Sequence, residues 1–306
     1  GSELSDFFPL LWEQDMVDGK RLGLPIYASS MVVVYNQTWA QELGFGSPPT
    51  TPVDFKTQAC AAASANNNGT GGVIASIDPD TLMSWIFAFG GNGLNRDETG
   101  YDFDTSEVRA AFEYLKDLFE SGCAWIPEDR YPDHEFATRQ GLFYTTSISG
   151  FQSLLASFAS NESDDEWRAI PFPSPNGAAA VSLFGPAYTI LRSTPEKQLA
   201  AWLLITWLSQ PEHQARLIEA SNAFPVRKSV IHLLGDYAAA NPQWAAAQDL
   251  ISFGFLEPRF GSWRIARWAI SDAATELVSP GFTPESIPRL LEDLNATLAE
   301  IHFQNR

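Results

Sequence analysis

Short apolar runs alternate along this chain with well-capped amphipathic helices, and that alternation predicts layered α/β domains. Its 306 residues exceed what one hydrophobic core usually organises, so two domains are expected. Hydrophobic residues make up 45% of the sequence, enough to fill two cores and too many for an extended disordered chain.

The elements follow in order. Asp18-Gly19 reads as a turn, Gly23-Leu-Pro25 as an entry, and Met31 to Tyr35 as a strand. A short helix closed by Gly44 leads to the Pro48-Pro49 turn. The next helix is capped by Thr51, with Pro52 at its first position and Asp54 at its third. After a polar loop from Asn66 to Gly72, a strand is expected over 72–75. A helix over 105–121 puts Val108, Phe112, Leu115 and Leu118 on one face. Asp104 is its expected cap and Gly122 its stop. Further strands are expected over 142–145, 168–172 and 188–191, with an acidic loop from Asn161 to Glu166. Ser193-Thr-Pro-Glu196 reads as a capping box for a helix through Leu208, and Ser209-Gln-Pro-Glu212 as one for a helix through about 220. Asn241-Pro242 starts another. Thr283-Pro284 opens the last, whose stripe is Ile287, Leu290, Leu291, Leu294, Leu298 and Ile301.

A formal charge of -18 argues against nucleic acid and anionic membrane surfaces as partners. No apolar run approaches the roughly 18 residues of a membrane span. Gly1-Ser2 looks like a cloning scar, so removal of an upstream segment is expected. The four histidines are scattered, and no HExxH, GxSxG or P-loop pattern occurs. Gly90-Gly-Asn-Gly93 lacks the Lys-Ser/Thr of a phosphate loop. Asp164-Asp165-Glu166 reads as a charged loop rather than hydrolase carboxylates. No cofactor, metal or catalytic residue is expected. Cys60 and Cys123 sit outside any metal pattern, near helix C-terminal halves in what would be one domain. A disulfide between them is expected, with two buried thiols as the alternative; an extracytoplasmic home would permit the bond.

Gly23, Pro25, Tyr35-Asn36, Gly44, Pro48-Pro49 and Phe55 together resemble the stretch where extracellular solute-binding proteins of ABC importers cross from one lobe to the other. The likeness continues in order. Phe136 to Phe151, Trp167 to Pro175, Phe184-Gly-Pro-Ala-Tyr188, Ala223-Phe-Pro-Val-Arg227 and Gly261-Ser-Trp263 are each similar to stretches of the maltose-binding type. Before Ala223 the family's turn has a glycine, whose left-handed position Asn222 would have to take. The resemblance implies a two-lobed periplasmic-binding-protein fold of type II with mixed sheets and flanking helices. Lobe one would be residues 3–29 plus 181–258, lobe two 30–180 plus 259–306, with hinge crossings near 28–31, 178–184 and 256–262. It also implies that part of lobe one is missing ahead of Leu4.

The function so implied is capture of a mono- or oligosaccharide between the lobes and delivery to a membrane ABC permease, outside the cytoplasm. Trp263 stands where similar proteins place a stacking tryptophan; a core position is the alternative. Trp85 with Gly91 and Asn92 could form a cleft floor, or Trp85 could belong to an apolar stripe with Ile86 and Phe89. Ser147, Ser149 and Phe151 suit a polyol or phosphate, or form a serine-rich turn. Tyr35 serves hinge or ligand, and Arg264 a ligand or an acid. Trp12, Trp39, Trp125, Trp202, Trp207 and Trp268 are assigned to packing. The stretch 144–150 is also similar to glycerol-3-phosphate-type binding proteins, which implies glycerol-3-phosphate or glycerophosphodiesters as alternative ligands. A carbohydrate-active hydrolase and a scaffold or sensor module are the readings from other classes.

Overall fold

The computed structural model describes residues 4–17 and 19–305. Gly1-Ser2 and Asp18 lie outside the described residues; Gly19, the other half of the expected turn, has φ +70°.

Eleven strands and fourteen α-helices are described, in chain order. Helix α1 (Pro9–Glu13) precedes the short strands β1 (Met16–Val17), β2 (Lys20–Arg21) and β3 (Leu24–Pro25), then the long β4 (Ser29–Asn36). Helices α2 (Gln37–Glu42) and α3 (Pro52–Asn66) lead to β5 (Gly71–Ile74). Next come α4 (Pro79–Ala88), α5 (Ser106–Glu120), β6 (Ala124–Trp125), α6 (Asp133–Ala137), β7 (Gly141–Ser147), α7 (Phe151–Ser160) and β8 (Trp167–Ile170). Strands β9 (Val181–Phe184) and β10 (Ala187–Tyr188) precede helices α8 (Pro195–Leu208), α9 (Pro211–Ser221), α10 (Lys228–Ile231), α11 (Gly235–Ala240) and α12 (Pro242–Gln248). Strand β11 (Gly254–Leu256), α13 (Trp263–Leu277) and α14 (Ile287–Gln304) complete the chain.

Strand β4 organises the main sheet, whose order is β11-β9-β4-β7-β5-β6, with β8 also on β4. Its first two residues pair with β9, Ser29 with Phe184 and Ser30 with Leu183. The rest pairs antiparallel with β7 and β8. Parallel pairs β5–β7, β5–β6 and β11–β9 make the sheet mixed. All eight residues of β4 are buried, as expected of a strand covered on both faces. Its side chains alternate between two cores, Met31, Val33 and Tyr35 in one and Val32 and Val34 in the other. The cores therefore follow the faces of the sheet. The second joins Leu11, Phe224 and Trp244 to Phe136, Phe151 and Trp167, residues expected in different lobes.

Side-chain caps open α2, α3, α5 and α8. Thr51 accepts from the Asp54 N–H and donates to its carboxylate at 2.8 Å, as the sequence predicts. For α5 the cap is Thr105 rather than Asp104: Thr105 Oγ1 accepts from the Val108 N–H, and Asp104 pairs with Arg109 at 3.0 Å. Ser209 ends α8 rather than opening α9, because its hydroxyl donates to the Ile205 carbonyl. Asn241 does not cap α12; its amide donates to Tyr237 O. The expected strand at 188–191 shrinks to β10, paired with β3. Asn222 does take the left-handed position, φ 56°, after α9. Its side chain donates to Ile148 O at 2.5 Å and accepts from the Tyr237 hydroxyl at 2.7 Å.

Cys60 of α3 and Cys123 ahead of β6 are bridged, with Cα atoms 4.6 Å apart. The clamp closes over β5. A Cβ on Gly72 would overlap the Cys123 carbonyl oxygen, so only glycine fits there. Among the described residues no helix is long and apolar enough to cross a membrane.

Candidate functional site

A cleft of about 620 Å³ opens where β5 and β7 end. Both strands run the same way, so their following loops emerge together, the usual position for ligands on parallel sheets. The stretch after β5, Ala75 to Asp80, forms one wall and runs into the first turn of α4. The end of β7, Tyr144 to Ser147, forms the floor with Met31 and Phe184, which sit where β4 and β9 adjoin. The loop from Ile126 to Pro132 makes a second wall.

Helix α13 supplies the remaining side. Arg264, Arg267, Trp268 and Ser271 recur at the three-and-four spacing that puts side chains on one helix face, and all four line the cleft. The opposite face of α13, with Ala266, Ile270, Ala273 and Ala274, is buried against the core. Ser271 donates to Ile77 O at 3.1 Å, and Arg267 forms a short ion pair with Asp80. Arg130 lies 3.7 Å from Asp78. Arg264 makes no ion pair among the described residues. Two large aromatic side chains reach into this space, Trp268 from α13 and Tyr131 from the loop, each 68% exposed.

Behind the α13 wall the half-buried Glu257 carboxyl neighbours Asp80 of the cleft wall. Trp263 Nε1 donates to Glu257 Oε2 at 2.6 Å. Burial first, and the neighbouring Asp80 second, push the Glu257 carboxyl up to about 8. Tyr144 in the floor is also pushed up, by burial and then by the Asp133 carboxylate. Asp133, itself raised by burial, accepts from Ser153 at 2.6 Å.

Of the residues singled out in the sequence, Ser147 and Arg264 line this cleft. Trp263 does not: only 8% of it is exposed, and it packs in the core near Tyr101 and Phe260 with its N–H spent on Glu257. It begins α13 on the buried stripe, one position before the cleft-facing one. Trp85 is likewise a core residue, edge-on to Phe55 and Phe172. Tyr35 stacks on Phe143, and Phe151 packs edge-on to Trp167. Gly91 is wedged against Ile86 and Val108, while exposed Asn92 turns back to accept from the Leu94 N–H. Ser149 is exposed outside the lining and bonds Ser147 at 2.7 Å.

Packing also proves the wrong assignment for three tryptophans. Trp268 is a cleft residue, and Trp202 and Trp207 on α8 are 53% and 50% exposed. The signal for Trp268 was its spacing of four from Arg264, which places both on one face. The acidic loop is structural. Asp165 accepts from Asn36 at 2.7 Å and pairs with Arg139, which holds its carboxyl below the usual range, while Arg139 reaches Glu42 as well.

Residues 2–252 match the family described as bacterial extracellular solute-binding protein. Proteins of Brucella abortus and Brucella suis that are provisionally named as binding proteins are 24% identical over 267 residues; the match takes in 84% of this chain and 62% of theirs. The chain therefore spans about three fifths of the length of these relatives. Among solved structures, the sugar-binding protein MalE of Xanthomonas citri superposes with a TM-score of 0.85 at 21% identity, over 98% of this chain and 75% of that one. A cyclic alpha-maltosyl-1,6-maltose binding protein of Arthrobacter globiformis gives 0.80 at 19%, over 98% and 78%. UgpB of Mycobacterium tuberculosis, solved with glycerophosphocholine, gives 0.80 at 20%, over 99% and 76%. The fold is that of the type II periplasmic binding proteins.

Proposed function

We propose, from the premise that this chain belongs to the bacterial extracellular solute-binding proteins, that it captures a mono- or oligosaccharide in the cleft between β5, β7 and α13. The observation that carries this reading is the pairing of two exposed aromatic side chains, Trp268 and Tyr131, with hydrogen-bonding groups in one cleft. A sugar ring offers C–H faces to an aromatic plane and hydroxyls to polar neighbours. Asp78, Asp80, Glu128 and Asp129 supply acceptors; Arg264, Arg267 and Ser147 supply donors.

The hinge reading rests on adjacency. Residues 29–30 pair with 183–184, and β11 (254–256) lies beside β9 just ahead of the third expected crossing near 256–262, which supports the reading. We take the lobes to be those the sequence suggested, and ligand to shift them towards a closed form that docks on an ABC permease outside the cytoplasm. MalE of Xanthomonas citri and the Arthrobacter protein are sugar-binding by description, which supports the ligand class.

A second ligand reading has its own observation. Arg264, without an acid partner among the described residues, faces the same cleft as Ser147, and the UgpB structure holds glycerophosphocholine. A phosphodiester would suit that corner, although the net charge of -18 opposes capture of anions.

A thermal-shift panel separates these readings. Ligand at 100 times its dissociation constant adds about 2.7 kcal/mol to the native state. Maltose, maltotriose or a monosaccharide should raise the melting temperature, and Trp268→Ala should abolish the shift. A response to glycerophosphocholine alone would transfer the weight to the Arg264 corner. Turnover of a nitrophenyl glycoside would overturn the binding-only reading, since the cleft holds four carboxylates.

A further inference from the structure

The least expected group behind the cleft wall is a carboxyl that no motif requires. Glu257 follows β11 directly, beside the strand pairing that joins β11 to β9. Its Oε2 accepts from the Trp263 indole, but its Oε1 is buried and meets no donor among the described residues. The Asp80 carboxyl, itself an acceptor when ionised, neighbours Glu257: its partner Arg267 stands one helical turn along α13 from Trp263, which holds Glu257. Two carboxylates cannot satisfy each other. One carboxylic acid and one carboxylate can, through a single O–H donated from one to the other.

The remaining charges decide which carboxyl keeps the proton. The titratable and charged groups facing Glu257 are Asp80 from α4 and Arg267 from α13; Trp263 adds a neutral N–H. Arg267 pairs with Asp80, so Asp80 keeps the negative charge and Glu257 is the neutral donor. The cluster is then electrically balanced: one acid, one carboxylate, one guanidinium. Arg259, the other cation near Glu257 in sequence, is turned away to Glu13.

Asp80 and Arg267 both line the cleft, and Glu257 stands behind them. We propose that Glu257 is a positioning residue for ligand capture: its neutral carboxyl donates to Asp80, and the shared proton holds Asp80 against Arg267 in the geometry the ligand meets. Loss of that proton leaves two carboxylates facing each other in a half-buried site. One must swing away, either Asp80 from the cleft wall or Glu257 from the strand pairing at the crossing. Both movements spoil the site, so affinity falls as the acid ionises. The proposal rests on the cleft being the ligand site.

The test has a ligand-free arm and a ligand arm. Trp263 reports on Glu257 directly, so intrinsic tryptophan emission followed from pH 6 to about 9.5 should show a one-proton transition centred near 8. Glu257→Gln should abolish that transition. Asp80→Asn, which removes the like charge, should move it to lower pH. With maltose as the probe, affinity in the native protein should weaken about tenfold between pH 6.5 and 9, the ratio a single acid centred at 8 imposes. In Glu257→Gln it should change less than about twofold. An emission curve without a transition, or the same pH dependence of affinity in Glu257→Gln as in the native protein, overturns the proposal. Absence of maltose binding at every pH, with the emission transition intact in the native protein and gone in Glu257→Gln, counts against the sugar reading while upholding the shared proton.

Discussion

Removing the Cys60–Cys123 bridge should destabilise the protein by an amount set by the loop it closes. The two cysteines are 63 residues apart in sequence, and closing such a loop in the unfolded chain is worth about 4 kcal/mol. Unfolding entropy is about 2.1 cal/mol/K per residue. For 306 residues, that free energy corresponds to a fall of about 6–7 °C in melting temperature. The perturbation is the double variant Cys60→Ala with Cys123→Ala, read by calorimetry beside the native protein with and without reductant. Reductant should lower the native protein to about the variant's melting temperature and leave the variant unmoved. A variant that melts within about 2 °C of the oxidised native protein would refute the loop-closure reasoning. It would mean that α3 and the Cys123 segment hold each other in the unfolded chain without the bond.

Other outcomes follow from particular contacts. Gly72→Ala should cost about 3 kcal/mol, because its Cβ would overlap the Cys123 backbone beneath α3 and neither backbone can yield; a melting temperature unchanged from native would show that β5 can shift. Asn222→Gly should cost about 2 kcal/mol for the two lost side-chain bonds, and Asn222→Ala about 1 kcal/mol more for a left-handed backbone. Equal loss in both would refute the backbone part, and urea unfolding measures both. Stability should fall as pH rises from about 4.5 to 8, because the native state holds the Glu257 proton more tightly than the unfolded chain does. Melting temperatures of native protein and Glu257→Gln should then agree at low pH, separate as pH rises from about 4.5 to 8, and keep a constant gap above that. Acidification works in the opposite sense at Asp165, whose carboxyl Arg139 holds low: its contribution is present above the usual carboxylate range and is lost below it.

Patterns confined to one element were legible in the sequence. The Thr51 cap, the stripe of α14 and the strand β4 each follow from local spacing, while the left-handed demand on Asn222 came from the family resemblance. Order along the chain also carried the resemblance that gave the fold. The binding cleft was another matter. Trp263 and Trp268 are five positions apart on one helix, which leaves them on different faces, and residue type alone treats them alike. Which face meets solvent depends on where β5, β7 and α4 stand, a tertiary fact. The same holds for Trp85, Tyr35 and Phe151, whose aromatic rings suit a ligand and a core equally well until the sheet claims them.

The sequence by itself determined the α/β class, most of the long elements and some caps such as Thr51, because hydrogen bonding and side-chain periodicity act over a few residues. It also made the disulfide possible without choosing it over two thiols. Only the tertiary structure decided the rest. It brought residues 60 and 123 to bonding distance, turned Trp268 outward and Trp263 inward, and set Glu257 against Asp80 across more than a hundred and seventy residues of chain. Burial and the charge of a distant neighbour fix such a site, and neither is a property of a residue's place in the sequence.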